Sequence, residues 1–398
     1  MIDCGFAWNS INYKNNKVVA CARGQGKLSS EFLPSKIYNS TDFVNLRKQL
    51  ANGVWPKHCR SCEDFEKYQS GKPYRLNRQS CIDQEEIDTG YVNNDKLKYI
   101  EFRFSTACNF LCLHCSNQYS SQWQKLVDSY EPDDLDREHR LEQFTDKHKG
   151  QNFSLSDSLC NEIFKDLCDN FPKLETIAIA GGEPLYQKQF WSFLKQIQSH
   201  PNINNITLLM FSNFNYKCDY TKLAELLKPF KLVDFRISIE ASKKMYPYFR
   251  SGKWESLEEN LLEFRKANID NIKMSGVCTW GVYQMLDAFN VINDIKGLDV
   301  DRVTSAIIQY PNYLNPCILK FKFNDYVQDQ LLRLKEKFGD EDAVQNILTY
   351  YNQHKSKFEH YTAFLEYISK TKELMNKDFN VYYDNIKYDY AKKELMYE

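Results

Sequence analysis

The sequence has no apolar run near the roughly 18 residues that a membrane-spanning helix needs; a stretch such as "ITLLMFSNF" is far too short. Its start, "MIDCGFAWNS", lacks the basic residues and apolar run of a secretory signal. An excess of charge of one sign is missing too. The 52 Lys and Arg against 53 Asp and Glu leave a net charge of −1, with no broad basic field for nucleic acid and no acidic tail. Internal repeats and low-complexity tracts are absent, and the 7 histidines are dispersed with no HxxxH pair. These absences lead us to expect a cytoplasmic protein with no membrane partner and no clear nucleic-acid partner.

Cysteine is abundant, with 13 in 398 residues. The odd count and the missing export signal argue against a disulfide framework. In a reducing compartment, clustered cysteines point to metal or catalysis, and isolated ones act as small buried hydrophobes. Cys160, Cys168, Cys218, Cys278 and Cys317 are isolated within helical or strand patterns and are expected in the core.

Three regions are expected. Residues 1–92 are irregular and cysteine-rich, with a strand at "KVVACARG" and a helix at "TDFVNLRKQLANG" that Thr41 or Asp42 can cap and Gly53 can end. Residues 93–316 alternate short apolar runs with helical stretches. The runs are "KYIEFRFST", "TIAIAGGE", "NITLLMFSN", "VDFRISIEA", "IKMSGVCTW" and "VTSAIIQYP". Such alternation predicts βα units, a parallel sheet and a partial (β/α)6 barrel with its site at the strand C-terminal ends. Residues 131–156 interrupt the rhythm with polar and charged residues, expected to be a solvated insertion or else a lid or partner-binding segment. Residues 317–398 are expected to be helical, with a stripe of Val327, Leu331, Leu334 and Phe338 ending at Gly339.

Cys108, Cys112 and Cys115 lie in "STACNFLCLHCSN", directly after the first strand of the alternating region. Thiolates suit iron–sulfur clusters and zinc. A structural zinc needs a closed set of four, and the local fourth ligand here is limited to His114. A four-iron cube held by three thiolates instead leaves one iron open to a substrate or cofactor.

"CNFLCLHC" resembles the CxxxCxxC loop of the radical SAM superfamily. The resemblance implies that Cys108, Cys112 and Cys115 hold a [4Fe-4S] cluster whose open iron chelates S-adenosylmethionine (SAM). It further implies reductive cleavage of SAM to a 5′-deoxyadenosyl radical that abstracts hydrogen from a substrate. "AIAGGEPLY" resembles the family's GGE motif, which gives Gly181, Gly182 and Glu183 the methionyl amine. Ser212 and Asn213 in "LLMFSNF" match the family's Ser-Asn pair, and Ser238 and Glu240 in "FRISIEA" match a segment that meets the SAM ribose or carboxylate. His114 stands where the family has an aromatic residue and is expected to pack against adenine or the cluster. No catalytic residue is assigned.

A second set, Cys4, Cys21, Cys59 and Cys62, fits a closed four-thiolate site holding iron–sulfur or zinc. It resembles the twitch domain, a half-length relative of the SPASM auxiliary-cluster domain, in an N-terminal placement found in phage and marine bacterial members. The proline usual after the first cysteine is absent, and Cys21-Ala22 stands where a Cys-Cys pair is common, so Cys81 is a further ligand candidate. The resemblance implies an electron donor such as a flavodoxin or ferredoxin and a substrate that is a peptide, a protein or a small molecule. Readings of another class are a zinc-stabilised binding protein and a SAM-binding protein without radical chemistry.

Overall fold

The structure is a computed structural model, and it describes residues 2–14, 16–68, 82–138, 141–145, 152–383 and 385–397. Cys81 lies outside the described residues.

Six strands form where the apolar runs fall: β3 (Tyr99–Phe102), β4 (Thr176–Ile179), β5 (Thr207–Ser212), β6 (Leu232–Ser238), β7 (Ile272–Trp280) and β8 (Arg302–Ile307). Each pairs in parallel with the next. A strand order that never reverses sends successive right-handed crossovers to one face, which curls the sheet toward a barrel. β3 is buried along its whole length, as a strand covered on both faces must be. The helix Asp157–Asn170 shows why the crossovers pack. Cys160, Ile163, Phe164 and Leu167 recur at helical spacing and are buried. Ser156 Oγ accepts from Leu159 N at 3.2 Å to cap it. Phe164, Phe193, Phe102 and Phe104 then meet in one aromatic cluster beneath β3.

The sheet has eight strands rather than six, because the N-terminal region adds a hairpin. β1 (Ser10–Lys14) pairs antiparallel with β2 (Lys17–Val19) and parallel with β3, Ser10 opposite Tyr99. The sheet therefore runs across the boundary expected near residue 92. The order β2-β1-β3-β4-β5-β6-β7-β8 ends at two edges, so the sheet is open. The helix Thr41–Ala51 forms as expected, with Ser40 rather than Thr41 or Asp42 as its N-terminal cap residue. Its Arg47 is wholly buried and donates to Ala7 O at 2.9 Å, Asn39 Oδ1 at 3.1 Å and Gly90 O at 3.2 Å.

The described part of 131–156 is exposed over most of 131–138 and 152–156, but it is anchored inward between them. Leu141 and Phe144 are buried, and Phe144 packs 5.6 Å from both Trp123 and Tyr367. The C-terminal region holds the helices Asn324–Phe338, Asp342–Gln353 and Phe358–Met375. It ends in an unexpected hairpin of β9 (Ile386–Asp389) and β10 (Glu394–Tyr397). Tyr388 pins that hairpin to the last helix, donating to Leu365 O at 2.6 Å. Among the described residues no helix is long and apolar enough to cross a membrane.

Replacing Arg47 with Met keeps the bulk of the side chain but leaves three acceptors without their donor. We expect Arg47→Met to lose about 2–4 kcal/mol in urea unfolding, the cost of orphaning buried polar groups. An unchanged midpoint would contradict Arg47 as the tie of the N-terminal region.

Candidate cofactor site

The cysteine loop leaves β3 at the C-terminal end of the sheet. Cys108 and Cys112 are buried and Cys115 is half-buried. Burial pushes the Cys108 thiol up to about 12, with the Cys112 charge adding to it. Burial likewise raises Cys112, against the pull of the Arg250 guanidinium. Cys115 is raised by burial and then by the charges of Cys112 and Cys108. Three thiols this unwilling to ionise become ligands only when a cation replaces their protons.

The loop is irregular, so its carbonyls need donors from elsewhere. Trp123 Nε1 donates to Cys112 O at 2.8 Å, and Ser120 Oγ to Phe110 O at 3.1 Å. Leu113 O accepts from Tyr367 OH at 2.6 Å and from Gln143 Nε2 at 2.9 Å. Gln143 also donates to Cys115 O. Leu111 O accepts from Ser251 Oγ at 2.8 Å and Lys377 Nζ at 3.0 Å. None of Gln143, Tyr367 and Lys377 was legible as a site residue, because each lies far from the cysteines in sequence.

Gly181 and Gly182 follow β4 with φ of +79° and +56°, a left-handed geometry that favours glycine. A Cβ on Gly182 would stand 2.3 Å from Ala107 O, so the turn can press against the start of the cysteine loop only without a side chain. Gly182 N donates to Tyr119 O at 3.2 Å and Glu183 N to Ala107 O at 2.9 Å. Gln187 Nε2 finishes the joint, donating to Ser105 O, Ala107 O and Gly181 O at 3.0–3.2 Å. Gln187 was also missed; its only signal was its place just past the glycine turn.

Glu183 is buried, and its carboxylate is engaged with its own neighbours. It accepts from Leu185 N at 3.0 Å, Ser212 Oγ at 2.7 Å and Asn213 N at 2.6 Å, tying the end of β5 to the end of β4. Burial still raises its carboxyl despite those donors. The Asn213 amide donates to Asn109 Oδ1 at 2.8 Å, inside the cysteine loop. Ser238 ends β6 half-buried.

Glu240 has φ of +57° and is also buried. It accepts from Arg250 at 2.6 Å and Thr279 Oγ1 at 2.6 Å, and its Oε2 lies 3.0 Å from His114 Nε2. Burial alone would raise this carboxyl, yet His114 and Arg250 hold it down to about 2. His114 stacks on Phe249 with centroids 5.0 Å apart. Among the described residues, the buried atoms His114 Nδ1 and Arg250 Nε have no hydrogen-bond partner. Two orphaned polar atoms beside a three-thiol set fit a bound group that brings charge and acceptors of its own.

The second set also converges. Cys4 precedes the helix Gly5–Asn9, Cys21 follows β2, and Cys59 and Cys62 flank the start of the helix Arg60–Tyr68. After burial, the charges of Cys4 and Cys62 push Cys21 up to about 12, and those of Cys4, Cys21 and Cys62 raise Cys59. Buried His58 braces them: Ala20 N donates to its Nε2 at 3.3 Å, and its Nδ1 bonds Gln25 O at 2.8 Å. No disulfide joins the described cysteines. As the side chains stand, no group of three or more His, Cys, Asp and Glu among the described residues forms a cage for a metal ion. Cys160, Cys278 and Cys317 are buried in the core, and Cys168 and Cys218 are half-buried.

The depressed Glu240 carboxyl predicts an acid-sensitive fold. Its folded value of about 2 lies below the roughly 4.3 of an unfolded chain. The stability it contributes is therefore present above about pH 5 and is lost as pH falls toward 2. The slope of urea stability over that window should be shallower in Glu240→Gln than in the wild type; parallel slopes would contradict the buried network.

Residues 102–285 match the family described as "Radical SAM superfamily". No curated protein is similar enough in sequence to match. Similar solved structures include Streptococcus suis SuiB bound to S-adenosylmethionine, at 12% identity and a TM-score of 0.37, covering 60% of this chain and 45% of that one. Native anSMEcpe with bound AdoMet is 14% identical with a TM-score of 0.38, covering 62% and 68%. Coproporphyrinogen III oxidase (HemN) from Escherichia coli, a radical SAM enzyme, is 15% identical with a TM-score of 0.36, covering 61% and 51%. This chain thus spans under half of the SuiB chain. The stretch of this chain that is similar to the radical SAM family therefore runs from the end of β3 to Met285.

Proposed function

We propose that the protein is a radical SAM enzyme whose cluster is held by Cys108, Cys112 and Cys115. The observation that carries this is the joint between the cysteine loop and the glycine turn, made by Gly182 N, Glu183 N and Gln187. When bound, the cluster and SAM supply one-electron reductive cleavage of the sulfonium and a 5′-deoxyadenosyl radical that takes hydrogen from the substrate. The protein binds, orients and excludes water. Gly181 and Gly182, left-handed and without side chains, let the turn press against Arg103 and the start of the cysteine loop. Glu183 acts through Ser212 and Asn213, holding the end of β5 in register with the loop. Glu240 acts through His114 and Arg250, and Arg250 sets positive charge beside the thiolates. Ser238, at the strand end before Glu240, is left for the ribose side.

The N-terminal thiols are the second part of the reading. Four cysteines from three separate segments, with Cys21 feeling the charges of Cys4 and Cys62 and Cys59 those of the other three, suit an auxiliary iron–sulfur cluster in a twitch-like arrangement. A reduced flavodoxin or ferredoxin is the class of electron donor required, and a peptide or protein is the class of substrate that such an arrangement favours.

The test is anaerobic reconstitution followed by SAM and dithionite. The wild type is expected to release 5′-deoxyadenosine and Cys112→Ala none. Iron is expected at about eight per chain in the wild type and about four in Cys59→Ala/Cys62→Ala, four irons for each cluster. Zinc in place of the second four irons would overturn the auxiliary cluster. An iron-loaded wild type that leaves SAM intact would overturn the enzyme.

A further inference from the structure

We propose that the cleft between the N-terminal cysteine set and the cysteine loop docks an acidic peptide segment, with Lys14, Lys17 and Arg23 receiving its carboxylates. The inference rests on the radical SAM reading and names the substrate class for that site.

The cleft measures about 1100 Å³, beyond the roughly 300–1,000 Å³ of small-ligand pockets. Its position joins the two cysteine sets. One wall is the turn after Cys21, with Ser61 from between Cys59 and Cys62; the other includes Gln118, just past Cys115. Lys14, the last residue of β1, bridges the walls. Its Nζ donates to Ala22 O at 3.3 Å and lies 5.9 Å from the centre of the Tyr119 ring. Tyr119 in turn touches the glycine turn, accepting from Gly182 N at 3.2 Å. Arg103 lies 5.0 Å over the same ring, and its side chain is what a Cβ on Gly181 would meet at 3.0 Å. One Tyr–Arg layer therefore stands between the cleft and the glycine pair, so a chain lying in the cleft lies beside the cofactor site.

Charge selects the occupant. Among the described residues, the lining carries three cations and no Asp or Glu, in a chain whose net charge is −1. A local cationic concavity in a neutral protein concentrates anions there. The amide side chains of Asn16 and Gln118 offer donors and acceptors suited to peptide groups. A nucleic acid would need a long basic track and stacking faces. Phe153 is the one aromatic in the described lining, and the Tyr119 ring is already covered by Lys14 and Arg103.

The probe is a fluorescein-labelled oligoglutamate peptide, titrated by anisotropy against the full-length reconstituted protein. SAM binding is measured on the same samples by equilibrium dialysis. Saturable binding is expected, weakening as salt rises. Reversing two of the lining cations in Lys17→Glu/Arg23→Glu is expected to weaken it by about tenfold or more, with SAM binding retained. The neutral pair Lys17→Gln/Arg23→Gln should fall between. Oligoglutamate binding that is absent, or that survives both pairs, would overturn the proposal. So would a labelled oligothymidylate that binds as tightly and is lost in the same variants. If both pairs lose SAM and oligoglutamate binding together, the cleft is not a separate docking site and the proposal also fails. The cofactor reading fails separately, when the wild type binds oligoglutamate through Lys17 and Arg23 but does not bind SAM.

Discussion

A buried stretch of irregular backbone has to find hydrogen-bond partners outside itself, and the cysteine loop is such a stretch. Its carbonyls from Phe110 to Leu113 are met by side chains from four places: the loop end and helix that follow, residues 141–145, the crossover after β6, and the C-terminal helical region. The barrel-like sheet alone could not hold the loop, because β3 stops at Phe102. Much of the chain outside the sheet is arranged so that one turn of backbone stays still. This explains why a polar stretch such as 131–156 folds inward at Phe144 and Gln143, and why Tyr367 is buried at the loop rather than spread on a helix surface.

Two buried carboxylates extend the same logic along the strand ends. Glu183 locks β4 to β5, and Glu240 locks β6 to β7 through Thr279 and to the loop through His114. Each is paired with donors, as a buried charge must be. Glu240 also keeps Arg250 in place, so that a cation stands near thiols whose burial makes them reluctant to ionise. The result is a set of strand ends whose spacing does not depend on a ligand.

The strands were legible because they are short, apolar and separated by helices of clear periodicity. A Gly-Gly turn before a proline is common alone, so the glycine turn was legible only from its place one strand after the cysteine loop, and the loop from three cysteines at close spacing. The N-terminal hairpin's place in the sheet was not, since parallel pairing of Ser10 with Tyr99 is set by tertiary contact across about ninety residues. The same holds for β9 and β10, short strands that form a hairpin where Tyr388 finds the last helix. The present roles of Glu183 and Glu240 were also hidden: the motif pattern points toward a ligand, whereas the hydrogen bonds run to neighbouring strands. Four thiols converging from Cys4 to Cys62 followed from their number in one short region, and His58, which braces them, did not.

The central claim is that Cys108, Cys112 and Cys115 hold a cluster with one iron open to SAM. Electron paramagnetic resonance of the dithionite-reduced protein, with and without SAM, tests it most directly. The account predicts a reduced four-iron signal whose g-values shift when SAM is added, and no such shift in Cys112→Ala. A wild-type cluster signal indifferent to SAM would contradict it.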